Sequence, residues 1–355
     1  MLTADQSGIC KHFENQAYLA VGMRKCAAQR ERLPLIPGVL MEVYELANLL
    51  TLGIWHLKLL NCAFVYVYVN LYTVGKQKQE KLNWLQRSLP EGLVADAAWL
   101  EKNGYSGALR KKYVAHGWLD RVARGVYRRP APQLPQKRAG MDVPWESVVI
   151  SLQTLLHAKF VLGGRTALEL QGFAHYLSSA PQREVHLYGT DKHPGWVLKL
   201  NLESRFVFHN AKRLFPNDVV LDVDNKANDP LVRSSYVPQR WGKWDLPLIT
   251  SLPERAILEL LDEVPERETF HQADMLFEGL RNLSPRKLQP LLQACRSVKV
   301  KRLFLWFAER HQPSWLNALD RGGIDLGKGK RMLVKGGKLD PKFNITVPES
   351  LDGDR

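Results

Sequence analysis

Cysteine is scarce in this chain: four in 355 residues, at Cys10, Cys26, Cys62 and Cys295. None forms a C-x-x-C pair and none stands near a zinc-type histidine pattern, which excludes a disulfide-framed scaffold and a zinc ribbon. Three of the four fall in the first 75 residues. The remainder is almost cysteine-free, as expected of a cytoplasmic protein. Catalytic signatures are missing as well. There is no H-E-x-x-H, no G-x-S-x-G elbow and no G-x-x-x-x-G-K-[ST] loop. His157, His175, His186, His193, His209, His271 and His311 are scattered without ligand spacing. The expectation is a protein that is not an enzyme, with no cofactor and no metal.

Long uncharged hydrophobic runs are also lacking. Residues 46–74 are largely apolar, but Lys58, Asn61 and Asn70 interrupt them. A lysine inside a span costs about 2.5–3.5 kcal/mol on insertion scales, so a membrane partner is not expected. The stretch lies too far from the start, and lacks a cleavage-like site, for a signal peptide. Residues 1–75 thus form an atypical apolar extension, and the expectation is that 1–73 are not part of the native protein. Translation would then start at Val74, ahead of an amphipathic helix; a weak membrane segment is the alternative.

Acidic charge is short: 36 Asp and Glu against 50 Lys and Arg, a balance of +14. Residues 76–140 alone hold fourteen basic and five acidic residues, so +9 of that excess sits on one short stretch. A concentration of this kind is an electrostatic footprint for phosphate. Leu82, Leu85 and Leu89 give a short amphipathic helix, broken by Pro90 and Gly92. Asp96 is placed to cap a second helix that buries Ala97 and Leu100 and ends at Asn103-Gly104. Ser106 caps a third, closed by Gly117, with Leu109, Tyr113 and His116 as its inward stripe. Arg110 and Lys111 then point outward, with Lys112 at the edge. Trp118–Val122 and Val126–Arg128 are strand-like around an Ala123-Arg124-Gly125 turn. The pattern is a winged helix-turn-helix over 76–130, with its third helix in the major groove of duplex DNA. Ser106, Arg110, Lys111, Lys112, Arg121, Arg124, Arg128 and Arg129 are the expected DNA-binding residues.

Residues 131–144 are rich in proline and basic residues and read as a linker. A second domain, 145–350, opens with a helix over Trp145–His157 that buries Val148, Val149, Leu152, Leu155 and Leu156. Gly163-Gly164 makes a turn and Thr166 caps the segment after it; the same pair could cradle a phosphate, without P-loop spacing. Strand-like runs at Glu184–Tyr188, Arg205–His209, Val219–Val223 and Leu231–Tyr236 suggest a small, mainly antiparallel sheet. Ser251-Leu252-Pro253-Glu254 reads as a capping box opening a helix that Pro265 stops. Further helices near 268–280, 284–295 and 298–310 complete a C-terminal bundle. The basic, Gly-rich tail either closes as a hairpin or stays loose. The class is therefore α+β: a winged helix-turn-helix followed by an α/β domain and a helical bundle. Asp222 and Asp224 are the best candidate for a metal-binding carboxylate pair, with no supporting motif beside them.

The string GWLDRVARGVYRR resembles the wing of the AbiEi antitoxins of type IV toxin–antitoxin systems. VLGGRTALELQGFAHYL (161–177), EVHLY (184–188) and SLPERAILELLDEVP (251–265) resemble that family's second domain, in the same order. The resemblance covers roughly 75–350; the first 73 residues depart from it. It implies a bacterial protein whose winged helix represses its own operon. It further implies a C-terminal domain that neutralises a nucleotidyltransferase-type toxin, in abortive defence against phage. Operator DNA and that toxin are the implied partners, and direct contact with the toxin is not implied. Two other readings remain: a winged-helix-targeted nuclease or nucleotidyltransferase using Asp222 and Asp224, and a plain regulator with a ligand-binding domain.

Overall fold

The computed structural model describes residues 80–130, 143–173, 184–216, 235–242 and 245–351. The apolar extension over 1–73, the linker residues 131–142 and the Asp222/Asp224 pair lie outside them, as does the expected strand Val219–Val223. No helix among the described residues is long and apolar enough to cross a membrane.

A helix described from residue 80 to 88 (α1) leads into strand β1 (Val94–Asp96), helix α2 (Ala97–Lys102) and helix α3 (Gly107–Ala115). Strands β2 (Asp120–Ala123) and β3 (Val126–Arg128) follow as an antiparallel hairpin. β1 adds to the far side of β3, giving the order β1-β3-β2. The turns have clear causes. Asp96 caps α2 by accepting the Trp99 N–H at 2.8 Å. Gly104, at φ +84, closes it with Tyr105 N–H donating to Leu100 and Gly104 N–H donating to Glu101. The same paired motif ends α3, with Gly117 at φ +70 and Trp118 N–H donating to Tyr113. Leu85, Leu89, Leu93, Val94, Ala95, Leu100, Tyr105, Tyr113, Leu119 and Val126 are the buried apolar residues of this small core.

The next helix, α4 (Trp145–Ile150), widens into a π-turn over Ser151–Leu155. Its buried face is Val148, Val149 and Leu152; Leu155 and Leu156, expected in that set, are only half-buried. A five-stranded sheet comes next, from β4 (Phe160–Leu162), β5 (Glu184–Gly189), β6 (Arg205–Asn210), β7 (Tyr236–Trp241) and β8 (Leu246–Ser251). Its order is β6-β5-β4-β8-β7. The sheet is mixed: β4–β5 and β7–β8 are antiparallel, whereas β5–β6 and β4–β8 are parallel. Side-chain alternation marks strands but carries no direction; here the long excursion between β5 and β6 returns the chain to the same end. Gln153 stitches the centre, donating to the carbonyls of Phe160 and Ile249 at 3.0 Å each and accepting from Ile249 N–H at 2.9 Å.

Helix α5 (Gly164–Leu170) follows β4, and α6 (Pro253–Glu263) follows β8. Helices α7 (Phe270–Gly279), α8 (Pro285–Ala294) and α9 (Val298–His311) complete the bundle. One continuous core joins Ala167 and Leu168 to Ile257, Leu261, Leu276, Phe277, Leu291, Phe304 and Phe307. The tail closes as the β9 (Lys338–Asp340) and β10 (Ile345–Val347) hairpin.

Candidate nucleic-acid interface

From α3 onward the winged helix sorts its basic residues into two kinds. Lys111, Lys112, Arg121 and Arg124 are exposed, and their side chains have no acidic or carbonyl partner among the described residues. Ser106, also exposed, caps α3 by accepting the Leu109 N–H at 3.4 Å. Lys111 and Lys112 lie on the outer side of α3, and Arg124 sits in the wing turn with Gly125 at φ +76. The carbonyl of Gly125 accepts from Ala97 N–H at 2.7 Å, so the wing tip is tied to the start of α2.

Arg110, Arg128 and Arg129 are internal struts, which corrects the outward orientation expected for Arg110. The Arg110 residue is only 9% exposed and donates to the carbonyls of Tyr105 at 2.7 Å and Ala97 at 3.2 Å. Its guanidinium also faces the Tyr127 ring of β3 at 5.8 Å. The inward stripe of α3 is therefore Arg110 and Tyr113, with Leu109 half-buried and His116 exposed. One carbonyl lies in the turn before α3 and the other at the start of α2, and a guanidinium reaches both where an apolar side chain would bond to neither. Arg128 pairs with Asp120 across the hairpin at 3.1 Å. Arg129 pairs with Glu91 at 3.2 Å and donates to the carbonyls of Gln86 and Leu89, closing the sheet onto α1.

Trp118, expected in the first wing strand, precedes β2 and is 41% exposed. It packs edge-on against Tyr113 at 5.0 Å, at the C-terminal end of α3. Tyr105 and Tyr113 are core residues, and burial, with Tyr113 adding to it, pushes the Tyr105 hydroxyl up to about 12. The winged helix is also fastened to the second domain: Val94 N–H donates to Ser151 Oγ at 2.9 Å, and the Trp196 indole donates to Asp96 at 3.2 Å.

In the second domain the sequence motifs converge on one buried network rather than on an open site. Gly164 N–H donates to Glu259 Oε2 at 3.0 Å, so the start of α5 already holds an anion, the chain's own carboxylate. A phosphate cradle at that position is overturned. Glu259 Oε1 accepts from Arg255 Nε at 2.7 Å and from the Ser251 hydroxyl at 3.2 Å. Burial pushes the Glu259 carboxyl above its ordinary value, against the pull of Arg255. The expected helix cap at Ser251 is corrected too: Ser251 ends β8, and the N-cap of α6 is Leu252 with no side-chain bond. Thr166 likewise lies within α5, where its hydroxyl accepts from His186 N–H at 2.9 Å. No three His, Cys, Asp or Glu among the described residues could hold a metal ion.

Among solved structures, the RV2827C protein from Mycobacterium tuberculosis aligns at 16% identity with a TM-score of 0.45, over 74% of this chain and 88% of that one. No curated protein matches the sequence. Two family models match. One, described as an AbiEi antitoxin N-terminal domain of a transcriptional regulator, spans residues 78–179. The other, described as a transcriptional regulator, AbiEi antitoxin, of type IV toxin–antitoxin systems, spans residues 182–348. Together they take in most of the chain, and the chain belongs to the AbiEi antitoxin family of transcriptional regulators, which are not enzymes.

Proposed function

We propose that this protein is a cytoplasmic antitoxin that binds its own operator, represses its operon and neutralises a nucleotidyltransferase-type toxin. In this reading α3 enters the major groove, with Lys111 and Lys112 on its exposed side and Ser106 at its leading end. Arg121 and Arg124 reach phosphate or the minor groove from the wing. Residues 76–130 carry operator recognition and residues 145–350 carry neutralisation. Arg110, Arg128 and Arg129 serve that surface by holding α3, the wing and α1 in register.

The observation that carries the reading is the division of the basic residues into two kinds. Four exposed cations share the third helix and the wing, with no carboxylate partner among the described residues, while three arginines make internal hydrogen bonds.

The test is operator binding by the full chain carrying Arg121→Ala and Arg124→Ala, beside rescue of cells expressing the neighbouring toxin. Binding should weaken steeply while rescue persists. Undiminished binding to the operator would refute the interface.

A further inference from the structure

The basic tail is organised by one buried arginine. Arg302, on α9, is 2% exposed and donates to four backbone carbonyls. Its Nε reaches Leu326 at 2.8 Å, Nη1 reaches Gly329 at 2.7 Å and Asn344 at 3.3 Å, and Nη2 reaches Gly327 at 3.1 Å. No carboxylate pairs with it among the described residues, so carbonyl dipoles alone hold the charge. Burial, and then the nearby charge of Arg331, press its pKa downward.

Drawing these carbonyls inward fixes the loop above them. Gly327, at φ +62, and Gly329, at φ +80, supply the left-handed backbone that lets two oxygens of one loop face one guanidinium. Gly327 N–H is taken by Asp325 at 2.8 Å and Arg331 N–H by the Asn344 carbonyl at 2.8 Å. The N–H groups of Lys328, Gly329 and Lys330 have no acceptor among the described residues. The side chains of Lys328, Lys330 and Arg331 are exposed and unpaired there. The loop therefore presents three backbone donors and three cations, backed by a buried fourth charge.

We propose that residues 327–331 form a phosphate-binding loop that holds the phosphodiester backbone of a nucleic acid, through contacts separate from those of the winged helix. Backbone N–H groups beside lysines suit the oxygens of a phosphodiester, which present several acceptors to be shared by peptide and side-chain donors. An acidic protein surface would more often be met by planar arginine forks, and here two of the three exposed cations are lysines, with Arg302 turned inward to carbonyls. The loop reads no sequence; it adds sequence-independent affinity.

The test uses the full chain with Lys328→Ala, Lys330→Ala and Arg331→Ala combined, beside Arg121→Ala with Arg124→Ala. Probes are the promoter duplex, an unrelated duplex of equal length and single-stranded RNA, each titrated over a range of salt, with polyglutamate as a polyanion that lacks phosphate. The loop variant should lower the slope of log K against log salt by about two to three units on at least one nucleic-acid probe, at about 0.9 per duplex phosphate and about 0.7 per single-strand phosphate. Its unfolding midpoint should stay at the parent value. Lys328→Ala and Lys330→Ala singly should each remove about one unit, and Lys328→Arg with Lys330→Arg should restore the slope. Unchanged slopes on all three nucleic acids overturn the proposal, as does a loss confined to polyglutamate. A loop variant that binds normally while the wing variant fails removes this inference alone; the reverse pattern removes the operator reading alone.

Discussion

The backbone N–H of Gly164 donates to the carboxylate of Glu259 at 3.0 Å, across 95 positions of sequence. This bond joins the two motifs of the second domain: the paired glycines after β4 and the S-x-P-E-R-A-x-L-E run of α6. It also explains Gly163. A Cβ there would stand 2.2 Å from Glu259 Oε2 and 2.4 Å from the Tyr188 ring. Gly163 is required by close approach, since its φ of −142° is open to any residue, whereas Gly164 is required by a φ of +53°.

Gly163→Ala should therefore act as an overpacked core substitution. Tyr188 and Glu259 are both fully or nearly buried and cannot swing aside, so the expected loss is about 1–3 kcal/mol. Urea unfolding of the second domain would show it as a lower midpoint. A midpoint equal to the parent's would mean that the glycine pair is not set by this contact.

Glu259→Ala should be worse. It removes the carboxylate that Arg255 Nε donates to at 2.7 Å, from a guanidinium fully buried between the Phe215 and Tyr236 rings at 4.3 and 4.7 Å that keeps its bond to the Ser235 hydroxyl at 3.2 Å. Removing one partner of a buried ion pair costs about 3–5 kcal/mol. Replacing Arg255 and Glu259 together by apolar residues should recover much of that loss. If the double variant is as unstable as the sum of the singles, the two side chains do not act as a pair.

Much of the winged helix was legible in the sequence because its turns announce themselves. Asp96, Gly104, Ser106 and Gly117 mark the helix ends through local chemistry alone, and Gly125 marks the wing turn. β1 was not legible: three residues give no alternation to read, and its strand character comes from pairing with β3. Arg110 was misread because helical periodicity assigns charge outward. Only the packing of α3 against the start of α2 reveals the two carbonyls that draw it in. In the second domain the motifs were visible but their role was not. Ser251 and Thr166 look like caps in isolation, and the partners that claim them lie 8 and 20 residues away.

The sorting of arginines gives a test with opposite signs. Arg124→Ala and Arg121→Ala should each reduce the salt slope of operator binding by about one unit while leaving stability unchanged. Arg129→Ala should do the reverse. It removes bonds to Glu91, Gln86 and Leu89, and should cost about 1–3 kcal/mol of stability with little change in slope. Arg128→Ala should also leave the slope near the parent value, because its charge is already paired with Asp120. A full unit lost at Arg128 would return that residue to the interface.

His186 supplies a pH dependence with a definite sign. Its Nδ1 lies 2.9 Å from His209 Nε2, and His209 Nδ1 lies 3.3 Å from Glu263. Burial, and then the facing His209, lower the His186 pKa from 6.5 to about 4. Glu184, Arg165 and Arg267 are its other charged neighbours. The folded state thus keeps this imidazole neutral where the unfolded chain would protonate it. Between about pH 6.5 and pH 4 the unfolded state binds the extra proton, so stability falls as pH falls across that window. A shift of this size corresponds to about 3 kcal/mol, all of it present above pH 6.5. His186→Gln cannot titrate and should lack this component. The stability gap between parent and variant, read from urea unfolding, should therefore change by about 3 kcal/mol from pH 7 to pH 4 in the variant's favour. Parallel curves for the two proteins across that range would show that the buried imidazole is not the group responsible.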